Sequence, residues 1–177
     1  MKKEILTHFV AFSVFFALIT LIRGWFDLSV LLFWFGGVLG TMLPDIDHVI
    51  YIYFLRSEEY NSQRAVHMVQ GGNLKESFKF LAETRSERTR LIFHTYYFQL
   101  IFYVLSFLVI TSSGSMFGRG LVLAFLLHLL VDQLIDFKET GSINNWFKDL
   151  PVMQEVGKQK IYLTIVSVAF LLFAFLL

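Results

Sequence analysis

The chain contains no cysteine. That absence removes disulfides, thiolate metal ligands and cysteine nucleophiles together, so any transition-metal site must be built from His, Asp and Glu. Proline is nearly as scarce, with two residues in 177. Charge is sparse as well: 16% of residues are charged and the formal net charge is +1, which leaves no electrostatic footprint for nucleic acid. The excess lies elsewhere. Hydrophobic residues make up 56% of the chain and aromatic residues 18%, with 21 Phe. Mean hydropathy is +0.63. Such a chain is too apolar for a soluble domain, and its apolar residues cluster in long runs, which reads as a polytopic membrane protein. The first run follows Lys2 and Lys3, as in a signal peptide, but no small-residue cleavage site precedes Arg23 and Trp25. It reads as a retained anchor.

A spanning helix needs about 20 apolar residues, within a range of roughly 17–25. Five segments qualify, some of them short: 5–22, 28–43, 91–110, 120–137 and 161–177. The expected fold class is therefore all-α, a polytopic transmembrane helix bundle of about five spanning helices plus interfacial helices, forming one membrane-embedded domain over 1–177. Residues 23–27 form a tight turn with Trp25 as an interfacial anchor. Pro44 is expected to stop the second helix, and 111–119 is a short Ser/Gly loop.

Two connections are longer, at about 44–90 and 138–160. The first holds an apolar stub, 49–55, then a charged stretch through Glu58 and Glu59. Asn73 and Glu76 have capping-box spacing, with Asn in place of Ser or Thr. Leu74, Phe78 and Leu81 then recur at helical spacing, giving a helix that lies either on the membrane surface or on the bundle. In the second connection Trp146, Phe147, Leu150 and Met153 suit a membrane interface.

With five spans, the N-terminus and both long connections share a side. That side carries thirteen of the fifteen Lys and Arg residues, and the other carries only Arg23 and Arg119. The positive-inside rule then places the protein in the plasma (inner) membrane with its N-terminus cytoplasmic and its C-terminus outside.

His128 and Asp132 interrupt the apolar run of the fourth span. An aspartate at the centre of a spanning helix costs about 2.5–3.5 kcal/mol on insertion scales, and ionisable groups inside membranes mark function by default. A spacing of four sets both side chains on one face, where an imidazole and a carboxylate can share a cation. The topology brings others to similar depth. His8 lies in the first turn of the first span. Asp45, Asp47 and His48 follow Pro44 at the inner end of the second, and His94 opens the third. Asp132 lies about 6 Å nearer the cytoplasm than His128 at 1.5 Å rise per residue. The groups outline a cleft open to the cytoplasm, about 10 Å deep by the same rise. Taken singly, His8 reads as an interfacial histidine, Asp45 as a cap for the segment after it, and His94 as a polar residue at a helix start. Their conjunction argues for a site. His67, in the soluble-looking loop, takes no role, and Asp136 is expected to reach the interface.

Imidazole and carboxylate ligands without cysteine suit a divalent metal, Zn²⁺ first and Mn²⁺ or Fe²⁺ as alternatives. A catalytic metal keeps an open position, where it lowers the pKa of a water towards ~7 and polarises a phosphoryl or carbonyl oxygen. His8, Asp45, Asp47, His48, His94, His128 and Asp132 exceed the needs of one four-coordinate ion. Either two metals bind or some groups orient the ligands.

These residues resemble the YdjM-like family of predicted membrane-bound metal-dependent hydrolases. That family shows an early Thr-His, a Leu-Pro-Asp-x-Asp-His segment after a Gly-rich helix, a His-Arg-x-x-Thr-His-Ser segment opening a later helix, and His-x-x-x-Asp followed by a Gly-containing loop. Thr7 and His8 match the first. GGVLGTMLPDIDH, from Gly36 to His48, matches the second, and His128 to Asp132, with Gly141 and Trp146 beyond, matches the last. The third fits in part: Arg90 and His94 align, but Thr89 stands where the family has its first histidine, Phe93 replaces Thr and Thr95 replaces Ser. The resemblance runs from about Thr7 to Trp146. It implies a multi-helix membrane protein with a metal site and hydrolase activity, with the Thr89 departure removing a ligand or a general acid.

The expected function is a cytoplasm-facing, metal-dependent membrane hydrolase acting on a lipid or other membrane-proximal (phospho)ester. His8, Asp45, His94, His128 and Asp132 would hold the metal. Asp47 and His48 would be further ligands, or a base and an acid acting on the bound water. Partners would be membrane lipids and a lipid-like substrate, with no nucleic acid. A divalent-cation carrier would share these ligands but needs polar residues continuing outward, where the first span offers only Ser13 and Thr20 and the third only Ser106 after Gln99. A non-catalytic scaffold, in which the cluster pins helix packing, is the third class.

Overall fold

The computed structural model describes residues 2–84, 88 and 91–177, without the side chains of residues 2–5, 78 and 82. The expectations for Thr89, Arg85, Arg90 and the Phe78 side chain lie outside the described residues. In chain order the helices are α1 (Lys2–Arg23), α2 (Ser29–Met42), α3 (Ile46–Ile50), α4 (Tyr60–Gln70), α5 (Leu74–Glu83), α6 (Tyr96–Ser112), α7 (Met116–Thr140) and α8 (Val156–Leu176). No strand occurs among the described residues.

The molecule is built around α7, on which α1, α2, α6 and α8 all pack. The Ser115 hydroxyl accepts the Gly118 N–H at 3.1 Å to start this helix. Gly141, at φ 75°, ends it by returning its N–H to Phe137 O at 2.9 Å. Every residue from Val122 to Gln133 is buried. The surrounding helices turn Phe9, Leu31, Leu108 and Leu171 outward, among many other large apolar side chains. A surface of that kind is solvated by lipid tails, and helices satisfy the backbone groups that lipid cannot. Among the described residues, four segments are long and apolar enough to cross a membrane: Leu6–Arg23, Ser29–Leu55, Met116–Thr140 and Val156–Leu176. The fifth expected span, α6, is apolar but has only 17 residues.

Successive long helices run in alternating directions. At one end of the bundle Arg23, at the end of α1, donates to Phe175 O near the end of α8. Arg119, in the first turn of α7, reaches Leu177 O at 3.5 Å. The opposite end gathers the start of α1, the end of α2, the start of α6 and the lower half of α7.

The closest packing is between α2 and α7. A Cβ on Gly36 would lie 2.1 Å from Phe117 O, one on Gly40 would lie 2.1 Å from Leu121 O, and one on Gly120 would lie 2.0 Å from Phe33 O. Backbone therefore touches backbone, and only glycine fits. Gly36 and Gly40 have the small-xxx-small spacing that lets membrane helices approach this closely without a hydrophobic driving force. On another face of α7, Gln133 and Gln99 of α6 are fully buried and exchange reciprocal amide bonds of 2.7 and 3.3 Å. Tyr162 of α8 donates its hydroxyl to Gln99 Oε1 at 2.5 Å. Before α2, Asp27 accepts the Ser29 N–H at 2.7 Å and the Ser29 hydroxyl, and these bonds hold its carboxyl below the ordinary aspartate range.

Three sequence expectations change. Pro44 does not stop the second helix. It sits in a 3-10 turn, Leu43–Asp45, where its ring fits helical φ and its missing N–H leaves few bonds unmade, so the axis continues through α3 and a π-helical turn, Tyr51–Leu55. The 44–90 connection is largely helical, because α4 and α5 pair and cover Tyr51 and Ile52 with Ala65, Phe80 and Leu81. Of the expected α5 face, Leu74 is exposed and Leu81 is packed. Trp146 and Phe147, expected at an interface, are buried at 2% and 1% exposure, because the connection after α7 folds back under the bundle.

Candidate metal centre

Four elements deliver side chains to the end of the bundle where α1 begins. From α7, His128 and Asp132 project from one face, one turn apart, as their spacing requires. Asp132 is fully buried. Its Oδ1 lies 3.1 Å from His8 Nε2, and its Oδ2 lies 3.0 Å from His94 Nε2 and 3.2 Å from His128 Nε2. Three imidazoles thus surround one carboxylate, and all three are at least nine-tenths buried. The His8 and His128 rings lie 4.2 Å apart between centroids, tilted by 31°. His8, His128 and Asp132 each offer a ligand atom, and these atoms all lie within 4.8 Å of one another.

Asp45, in the 3-10 turn after α2, brings Oδ1 to 3.7 Å from His128 Nε2. Its side chain is 61% exposed, beside exposed Met42, Ile46 and Val49. The cluster therefore meets the surroundings along an apolar flank.

Asp47 has a different setting. It is fully buried, with Oδ1 accepting the Ile92 N–H at 2.9 Å and Oδ2 accepting the Phe93 and His94 N–H groups at 2.6 and 3.3 Å. The same Oδ2 lies 3.2 Å from His94 Nδ1. His94 does not open a helix, as its sequence position suggests. It lies in an irregular stretch before α6, where the Asp47 carboxylate takes up N–H groups that a helix start would leave unpaired. A histidine flanked in this way can take the polarity of a metal ligand: in the tautomer whose Nδ1–H donates to Asp47, Nε2 presents a lone pair. That lone pair faces Asp132 Oδ2 at 3.0 Å, a repulsive contact unless a cation, proton or metal, joins them.

His128 makes the same point. Both its ring nitrogens are buried without a hydrogen bond among the described residues. Nε2 is near two carboxylates yet has hydrogen-bond geometry to neither. Leaving such groups unsatisfied costs about 1–3 kcal/mol each. A divalent cation among His8, His128 and Asp132 would use these lone pairs and neutralise buried carboxylate charge, so the residues fit a metal.

His48, on α3, stacks against His94 at 5.6 Å between centroids. Sequence reasoning missed its partner, Arg88, which is 8% exposed and donates Nε–H to His48 Nδ1 at 3.2 Å. No periodicity marks Arg88, and its approach depends on the α4–α5 pair folding back. Trp146, edge-on to His94 at 5.4 Å between centroids, closes another side and donates Nε1–H to Asp136 at 2.9 Å. Asp136 thus supports a wall of the site. His67 is exposed on α4.

A family model described as YdjM inner membrane protein matches residues 3–141, which include every member of the cluster. No curated protein and no solved structure matches the chain.

Proposed function

The chain belongs to the YdjM inner membrane protein family, and from that premise we propose that it is a metal-dependent hydrolase of lipid or other membrane-proximal (phospho)esters. One observation carries the reading: Asp132 within 3.2 Å of three buried imidazole nitrogens on three separate segments of the chain. Structural packing alone has no need to bury so many titratable groups around one carboxylate, and intramembrane clusters of this kind mark function.

In this reading His8, His128 and Asp132 hold the metal, with His94 and Asp45 completing the set. Zn²⁺ suits these ligands best, with Mn²⁺ or Fe²⁺ next. Bound there, the ion would supply Lewis acidity towards a phosphoryl or carbonyl oxygen and lower the pKa of a water. Asp47 fixes the His94 ring and the backbone before α6. Asp45, the exposed member, marks the entrance, and the apolar side chains beside it suit an acyl chain arriving laterally while its headgroup meets the cluster. The entrance faces the cytoplasm if the helices follow the positive-inside rule.

A carrier is the weaker reading. On the far side of the cluster the core is filled by Phe12, Phe16, Phe33, Leu123 and Leu126, which leaves little polar surface for an ion to follow. Metal analysis of the purified full chain under metal-replete conditions tests the proposal. The expected result is close to one ion per chain or more, lost in Asp132→Ala, together with ester hydrolysis in phospholipid vesicles that the same variant lacks. An ion content well below one per chain in the folded wild type overturns it.

A further inference from the structure

The Arg88–His48 contact fixes the chemistry of a residue that spacing alone leaves ambiguous. A guanidinium carries five N–H donors and no acceptor, and it stays charged at any accessible pH. The nitrogen it approaches must therefore supply the lone pair. With Arg88 Nε 3.2 Å from His48 Nδ1, Nδ1 carries no proton. The neutral ring then holds its proton on Nε2. Arg88 is itself anchored, donating through one terminal nitrogen to Thr84 Oγ1 at 3.1 Å and through the other to Leu81 O. It is one of the most buried charged groups in the described structure.

We infer that Arg88 is a positioning residue that locks His48 in the Nε2–H tautomer, making His48 a hydrogen-bond donor beside the metal centre and excluding it from the ligand set. The contrast with His94 is direct. A histidine that binds a metal through one nitrogen donates the other N–H to a carboxylate, carbonyl or water, as the Asp47–His94 pair is arranged to do. His48 has the opposite polarity, because its second nitrogen accepts from a cation. Binding a metal through Nε2 would require loss of the remaining ring proton or rupture of the Arg88 bond. The stack on His94 sets the His48 ring one side chain from the cluster, where an N–H donor can steady the oxygen of a bound ester. This last role rests on the hydrolase reading, whereas the tautomer does not.

Nitrogen-15 spectroscopy of the full chain in nanodiscs, labelled only at its five histidines and assigned with His48→Gln, reads the tautomer directly. His48 is expected to show an unprotonated Nδ1 and a protonated Nε2, unchanged when Zn²⁺ alone is added, while His8 and His128 shift. Arg88→Met should release His48 into a mixture of tautomers without lowering the Zn²⁺ stoichiometry. Arg88→Lys, which also has only donors, should retain the Nε2–H form if the Met variant does not fold. A protonated Nδ1 in the wild type, or a His48 resonance that moves to a metal-bound position with Zn²⁺, overturns the inference. Zn²⁺ that moves no histidine at all would instead defeat the hydrolase reading and leave the tautomer standing.

Discussion

His8 Nε2 lies 3.1 Å from Asp132 Oδ1 although 124 residues separate them in the chain. The contact exists because α1 and α7 run in opposite directions through the bundle. The first turns of α1 thus meet the later turns of α7. It joins the site to the packing, since anything that shifts α1 against α7 pulls apart the groups proposed to hold the metal.

The first prediction separates ligands from their supports. Asp132→Asn keeps the shape of the carboxylate but removes its charge, and Zn²⁺ affinity should fall beyond the ~10–100-fold expected for an orienting residue. Asp47→Asn still accepts backbone N–H groups through its amide oxygen but weakens the hold on His94, so its loss should stay within that range. Competitive chelator titration of the purified variants measures both. Equal losses would mean that Asp47 binds the ion directly.

The second prediction concerns the glycine contact. At Gly40 a methyl group would sit 2.1 Å from the backbone oxygen of Leu121, and no side-chain rotation relieves that contact. Gly40→Ala should therefore destabilise the fold by about 1–3 kcal/mol, as overpacking does elsewhere. It should also weaken Zn²⁺ binding, because α2 carries Asp45 towards His128. Gly114→Ala, at a position where a Cβ meets nothing within 4 Å, is the control and should alter neither. Thermal unfolding in one detergent, with and without Zn²⁺, compares them.

Much of this architecture is legible in the sequence. The apolar runs set the long helices to within a few residues, and the alternation of spans was enough to bring His8, Asp45, His94, His128 and Asp132 to one end. Three things were hidden, each for a physical reason. Pro44 reads as a stop because proline breaks an α-helical ladder, but a 3-10 turn followed by a π turn absorbs it. The role of Gly36 and Gly40 depends on a partner helix some eighty residues further along, although their spacing carries the signal. Arg88 reaches His48 only after α4 and α5 pair, and pairing of that kind leaves no periodic trace.

The third prediction addresses the buried amides. Gln99 and Gln133 satisfy one another in a dry core, so replacing either alone strands its partner. Gln99→Leu and Gln133→Leu should each destabilise the protein, and the double variant should lose less than the sum. Coupling of about 0.6 kcal/mol is average for such pairs in membranes, with a maximum near 1.7. The Tyr162 hydroxyl on Gln99 Oε1 should place this pair towards the upper end. Unfolding free energies of the four proteins close the cycle, and additive losses would show that the pair is not coupled.

The last prediction tests orientation, and the absence of cysteine makes the chain a ready background for it. Ser57 lies between the π turn and α4, on the side of the bundle that carries the His/Asp cluster. Gly114 lies between α6 and α7 at the other end, with open space around it. Single substitutions Ser57→Cys and Gly114→Cys should therefore label from opposite sides of the membrane. With thirteen Lys and Arg residues expected on the side of Ser57 against two on the other, the positive-inside rule predicts that side to be cytoplasmic. In intact cells a membrane-impermeant maleimide should modify the Gly114→Cys variant and spare the Ser57→Cys variant until the membrane is opened. The reverse pattern would place the metal centre outside, and modification of both variants in intact cells would mean that α6, at 17 residues, does not cross the bilayer.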